Sequence, residues 1–394
     1  MGPLSQLRIL DFSTLLPGPY ATMILADMGA DVIRVESPTR PDLLRVSPPM
    51  LDERSFAHLS INRNKRSIAL NLKSAKAQGI IHKLIQSYDV VVEQFRPGVM
   101  ARLGLDYEAL KTINPQLIYC SITGYGQTGP NKDKAGHDIN YLALSGLASY
   151  SGKANTGPVL SGTQIADLAG GSHHAVMAIL AAVIKRQQDG VGSYIDISML
   201  DCAFAMNGMF GAAALGTGED PQLGAEILNG GIFYDYYVTS DGQHLSVGGL
   251  EPQFAQRFFT LIEHPQWLAQ CMAPAGQQEK LKQDLADLFA SRPLQHWLDL
   301  FADTDVCVEP VLSVHQAAQH PQLKARNMVY NNKTEDGQLI SQIRSPLSPV
   351  DETPSAKVGS RLGQDSIDIL KQAGVDDSEI SVLLADGDLL QQAK

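Results

Sequence analysis

The opening alternation constrains the fold most. Leu7 to Phe12 reads as a short β-run, Leu15-Leu-Pro-Gly-Pro19 as a turn, Tyr20 to Met28 as a helix closed by Gly29, and Asp31 to Val35 as a second β-run. A strand, a helix and a strand within roughly thirty residues is the length of a parallel crossover, since a tight hairpin cannot join parallel strands. The pattern repeats, with strand-like runs at 67–72, 90–93 and 117–122 and helical runs at 74–88 and 106–113. An α/β fold is therefore expected, with a Rossmann-like open parallel sheet and helices on both faces. The first strand-to-helix turn carries Leu-Pro-Gly-Pro in place of the GxGxxG fingerprint, so NAD or FAD binding is not supported.

Further along, 165–188 reads as one long apolar helix, 193–196 as a last strand, and 199–215 as another apolar helix. The large unit then spans 1–215. A Gly/Pro-rich stretch makes 216–232 a linker, and residues 233–330 a smaller α+β unit. That unit begins with a hairpin of 233–238 and 244–247 around Ser240-Asp-Gly242. Helical runs follow at 253–262, 278–290 and 293–301, and residues 331–394 end in two short helices joined at Gly374.

A net charge of −11 opposes general affinity for nucleic acid or anionic membranes, which need a clustered positive field. Neither is an expected partner. The longest apolar stretch, Ala175 to Ile184, is about half of the ~20 residues that cross a bilayer and reads as a buried helix. The four cysteines, Cys120, Cys202, Cys271 and Cys307, are scattered without a CxxC pair, so neither a zinc site nor a disulfide framework is signalled. No basic-then-apolar signal opens the chain, and a cytoplasmic setting is expected.

Two residues stand out chemically. His137, in Ala135-Gly-His-Asp-Ile-Asn-Tyr141, lies in a loop after the Gly124-Tyr-Gly-Gln-Thr-Gly129 turn; it is either an ordinary loop histidine or a proton-transfer group, since imidazole titrates near neutral pH. Asp167, before an apolar helix containing Gly170 and Gly171, is either a helix cap or a carboxylate placed where backbone donors hold a developing thioester oxyanion. Glu251, before Pro252, reads as a helix start or as a group that orients a histidine. The basic run Asn62-Arg-Asn-Lys-Arg-Ser67, with Lys73, Arg96 and Arg102 beyond it, is either a solvated turn or a phosphate receiver. His173 and His174 are adjacent on a helix and diverge by about 100°, which argues against a shared metal ion. Hydrolase, Walker and HExxH signatures do not occur.

These segments resemble the family III coenzyme A transferases of CaiB/BaiF type, and within them the α-methylacyl-CoA racemase branch. The resemblance rests on residues 16–36, Asn62 to Ser67, Arg96-Pro-Gly-Val, Arg102-Leu-Gly, Gly124-Tyr-Gly-Gln-Thr-Gly-Pro, Ala135 to Tyr141 and Glu251-Pro-Gln-Phe. It implies an interlocked homodimer whose 331–394 segment returns to the large domain, with Glu251 reaching His137 across the dimer. In transferases of this family the residue matching Asp167 is a nucleophile that forms an acyl anhydride. In racemases it pairs with the residue matching His137, as acid and base on opposite faces of C2. The resemblance also places coenzyme A around Leu15, Leu70, Lys73, Arg96, Arg102, Gly136, Asp138 and Tyr141. It implies an acyl-CoA substrate, no metal, and no cofactor beyond the CoA that the substrate carries. Two positions depart from the racemase pattern: Ser37 follows Glu36 where arginine is common, with Arg40 nearest, and Thr163 stands where asparagine is frequent.

Overall fold

The structure is a computed structural model that describes residues 2–51, 53–347 and 356–392. Among these, the central sheet has β1 (Arg8–Asp11), β2 (Asp31–Glu36), β3 (Lys65–Leu70), β4 (Val90–Glu93), β5 (Ile118–Thr123) and β6 (Ser193–Ser198) in the order β6-β5-β4-β1-β2-β3. All these neighbours run parallel. Leu389–Leu390 closes the β3 edge antiparallel. The expected parallel α/β sheet is present, and its order reverses between β1 and β4, the crevice where such sheets take ligands.

Alternation along each strand builds two cores. Leu10, Ile33, Ile68, Val91 and Tyr119 join Ile80, Ile81 and Leu84 of α2 (Ala75–Ile85) on one face. The tail helices Ser366–Gln372 and Asp377–Ala385 add Ile369, Leu370, Ile380 and Leu383 to the same cluster. The alternate residues Ile9, Val32, Val92, Ile118 and Cys120 are also fully buried, toward α1 (Pro17–Asp27) and the helix His174–Asp189.

Several boundaries depart from the sequence reading. Helix α1 starts at Pro17, so the Leu-Pro-Gly-Pro turn supplies its first turn; proline is suited to that position because its fixed φ is helical and its missing N–H is not needed there. The run 165–188 is one helical stretch, but Ala166–His173 is π-helix and only His174–Asp189 is α-helix. The run Ala166–Asp189 contains an 18-residue window of mean hydropathy 1.4 and by length and composition could cross a membrane. Yet Ala175, Val176, Ile179 and Ala182 are buried against this unit, as in a core helix, while Met177 and Ile184 are more than half exposed. The run is thus a half-buried helix, where a buried one was expected. The run 199–215 is two helices, Met199–Ala205 and Gly208–Thr217, interrupted at Met206 and Asn207 next to the helix-weakening Gly208.

The chain divides into two compact units: 1–142, 163–205 and 321–394 form the first, and 143–162 with 206–320 the second. Residues 143–162 and 206–215, expected in the large unit, therefore group with the smaller one, and the return begins at Pro321, earlier than 331. The second unit pairs Asp235–Val238 with His244–Val247 as expected and adds Val308–Pro310, a third strand that the sequence reading lacked. Its core gathers Phe258, Phe259, Phe289, Trp297 and Phe301 beneath Leu245 and Val247. In the first unit a hairpin of Val329–Lys333 and Leu339–Ile343 was likewise not anticipated.

Candidate active site

The C-terminal ends of the parallel strands carry the candidate residues. After β5, the glycine turn 124–129 is held by Asp196 of β6, whose two carboxylate oxygens accept from the Gln127 N–H at 3.2 and 3.0 Å. Gly126 there has φ +81°, a left-handed conformation natural to glycine. The helix α3 (Asp138–Leu144) follows, and Tyr141 Oη donates to the Gly136 carbonyl at 2.6 Å, drawing the His137 loop onto the helix. A Cβ on Gly124 would lie 2.4 Å from that phenol oxygen, so only glycine admits the approach. The His137 N–H donates to Asn140 Oδ1 at 3.0 Å, while the His137 carbonyl accepts from the Asn140 N–H at 2.8 Å. The imidazole is exposed.

Asp167 stands in the first turn of the π-helix. It is not the helix cap that spacing suggested: Ile165 occupies that position, with no side-chain hydrogen bond. The Asp167 N–H instead donates to Asp138 Oδ1 at 3.0 Å. This donor is therefore taken, and it is not open to a thioester oxyanion as the sequence reading had it. Burial first, then the Asp138 charge, raises the Asp167 carboxyl to about 6, with His137 pulling the other way. His137, Asp138 and Asp167 thus form one electrostatic group. Gly171 would, as alanine, press its Cβ to 3.2 Å from Pro17 and 3.1 Å from Met199, and Ser172 Oγ donates to the Pro17 carbonyl at 2.7 Å. The π-helix is thereby tied to the start of α1 at the sheet's switch point, and single π-turns inside helices recur at functional sites.

The basic run 62–67 does not receive phosphate as suggested, because its charges are spent within the fold. Arg63 pairs with Asp27 at 2.5 Å, Arg66 with Asp31 at 2.7 Å, and Lys65 with Asp11 at 3.2 Å. Burial pushes the Lys65 ammonium down to about 8 despite Asp11 beside it. Burial alone would raise the Asp11 carboxyl, but Lys65 and Arg34 outweigh it and hold the group below its ordinary value. Lys73, Arg96 and Arg102 are exposed beyond the ends of β3 and β4. Leu15 is 40% exposed, whereas Leu70 is fully buried in the sheet core and paired with Leu389, so it does not offer the coenzyme contact that the resemblance implied. Arg40 is exposed and its N–H donates to Ser37 Oγ at 3.1 Å.

Glu251 caps the helix Pro252–Leu261 of the second unit, where its side chain is exposed and makes no capping bond. His174 Nδ1 lies 2.8 Å from the Ala169 carbonyl, and the His173 ring is 6.1 Å from that of Tyr20, so the two imidazoles have separate neighbours. Sequence reasoning missed Asp42, Gln94 and Asp196, which fix site loops from a distance, and Glu93, a buried carboxyl that burial raises to about 7. The glycine pair 170–171 inside an apolar helix was the one local sign of the π-helix.

Among known proteins, the CoA-transferase family III model matches residues 4–366. An α-methylacyl-CoA racemase of Mus musculus is 35% identical over 97% of this chain and 96% of its own length. A human succinyl-CoA:glutarate CoA-transferase is likewise 35% identical, over 98% of this chain and 89% of its own. The crystal structure of a CAIB/BAIF family protein from Brucella suis superposes with TM-score 0.82 and 28% identity, covering 94% of this chain and 99% of the other.

Proposed function

The chain belongs to CoA-transferase family III, and from that premise we propose that it is a racemase or epimerase that inverts C2 of 2-methyl-branched acyl-CoA thioesters. The observation that carries this reading is an Asp167 carboxyl raised to about 6 within the field of His137. Proton transfer is most efficient when the acid and base titrate near the working pH, and imidazole is the usual such group.

In the proposed reaction one of the pair removes the C2 proton, leaving an enolate whose charge spreads to the thioester oxygen. The other delivers a proton to the opposite face, so the configuration inverts and both groups have exchanged protonation states. The reverse direction uses them in the opposite roles. Lys73, Arg96 and Arg102 are the side chains offered to the coenzyme phosphates. A homodimer in which Glu251 of a second copy orients His137 belongs to the same proposal, as does a cytoplasmic setting.

The test is incubation of one 2-methylacyl-CoA epimer in heavy water. Deuterium at C2 together with loss of stereochemical purity is the expected outcome, and an unexchanged, unchanged epimer removes the reading. A second reading is favoured by the glutarate CoA-transferase, whose identity to this chain matches the racemase's. In it ionised Asp167 attacks the thioester to form a mixed anhydride and CoA thiolate. The thiolate attacks the Asp167 carbonyl, releasing the donor acid and leaving an Asp167–CoA thioester. The acceptor carboxylate then displaces the thiolate to form a second anhydride, whose acceptor carbonyl the thiolate attacks to give the new acyl-CoA and free Asp167. Hydroxylamine trapping of an acyl group on Asp167, with turnover only when an acid acceptor is supplied, would establish that alternative.

A further inference from the structure

The turn from β1 into α1 lies at the switch point of the sheet, and side chains from three places hold its backbone. Asp11 accepts from the Ser13 N–H at 2.9 Å, Asp42 from the Leu15 N–H at 2.9 Å, and Gln94 from the Gly18 N–H at 3.0 Å. Pro17 and Pro19 have no N–H to offer. In loops that cradle phosphate these amides point at the anion. Here those of Ser13, Leu15 and Gly18 are bound to the protein's own oxygens.

Leu15 is unusual within this turn. Its φ is +59°, in the left-handed region that a leucine rarely enters, and its side chain is 40% exposed. The Asp42 side chain has no exposed surface. Its Oδ2 serves both the Leu15 N–H and the buried Arg34 guanidinium, and its Oδ1 takes the Leu44 N–H at 2.9 Å. Asp42 is therefore fixed on one side by an ion pair and on another by a backbone bond, and it passes that rigidity to Leu15.

We propose that Asp42 is a positioning residue for coenzyme A. It locks Leu15 in the left-handed conformation, so that the isobutyl group stands as an apolar contact and the turn reads the coenzyme by shape. Phosphate recognition then falls to the exposed side chains of Lys73, Arg96 and Arg102 rather than to the Ser13, Leu15 and Gly18 amides. This proposal rests on the acyl-CoA reading above.

Calorimetric titration of the full chain with CoA tests it. If the wild-type protein does not bind CoA, the acyl-CoA reading itself fails. If it binds, Asp42→Ala is expected to raise Kd about tenfold. In a Leu15→Gly background the same substitution should change Kd less than twofold, because glycine takes positive φ unaided. The loss should also leave the slope of affinity against salt unchanged, since no phosphate contact is removed. An Asp42→Ala protein that binds CoA like the wild type, or one whose loss persists undiminished with Leu15→Gly, overturns the proposal. Should Asp42→Ala fail to fold because buried Arg34 keeps only Glu36 at 3.9 Å, the paired Arg34→Met and Asp42→Ala protein carries the same expectations, as both members of the Arg34–Asp42 pair are then gone.

Discussion

The backbone N–H of Asp167 donates to Asp138 Oδ1, and this one bond at 3.0 Å fixes the electrostatics of the candidate site. It holds a second negative charge beside Asp167, which adds to burial in keeping that carboxyl near 6. An acid held next to another acid gives up its proton late.

Replacing Asp138 by Asn keeps an oxygen for the Asp167 N–H but removes the charge. The acidic limb of the rate profile should then move down by roughly one pH unit. The pH dependence of C2 deuterium exchange measures this, and a limb that stays in place would show that Asp167 does not govern it.

Asp167 should also lower stability at neutral pH. Its folded pKa of about 6 lies above the ordinary 3.8, so between these values the folded state holds more protons than the unfolded state, and stability falls as pH rises. Asp167→Asn should therefore raise Tm at pH 7.5 and leave it unchanged at pH 3.5. The gain should be on the order of 1 kcal/mol, allowing for solvent screening of a partly exposed group. Thermal melts at the two pH values decide the sign.

Glu93 follows the same sign more strongly. Burial raises it from 4.5 to about 7, against the Ser121 hydroxyl and the Phe95 N–H, which favour the ionised form. Its destabilising effect develops between these pH values as the pH rises. Glu93→Gln keeps an acceptor for Phe95 and should stabilise the protein by up to about 3 kcal/mol at pH 8, with little change at pH 4. Denaturant titration at both pH values measures the difference.

Lys65→Met should destabilise by roughly 3 kcal/mol, because buried Asp11 would lose its ion-pair partner and keep only the field of Arg34. The Asp11 carboxylate, with side-chain exposure of 0%, also orders Ser13 and Thr22. Changing Asp11 to Leu as well should recover part of the loss, and urea unfolding of the single and double variants tests this.

Gly124→Ala should reduce exchange activity at least tenfold while leaving the sheet intact. The new methyl would fall 2.4 Å from Tyr141 Oη and push apart the contact that seats the His137 loop. Far-UV circular dichroism alongside the exchange rate separates this from unfolding.

Much of this was legible in the sequence because it depends on local pattern. Strand and helix positions from β1 to β6 follow from runs of apolar residues and their flanking turns, and Val90–Glu93 falls where the sequence placed it. The motif containing His137 was equally visible. Errors arose where a local pattern had two solutions. The basic run 62–67 has the same spelling whether it faces phosphate or carboxylates, and the apolar run after Asp167 has the same periodicity as α- or π-helix over one turn.

The sequence by itself determined the α/β class and the strand ends near which the candidate groups lie, and through a family resemblance it singled out His137 and Asp167 as candidates. Tertiary structure alone decided their states. The carboxylate beside Asp167 comes from 29 residues away, the acceptor that holds Leu15 from 27, and the partner of Lys65 from 54. Pairings at such separations are chosen by where the fold brings groups together and by the loss of water around them. Periodicity and local spacing carry no record of either.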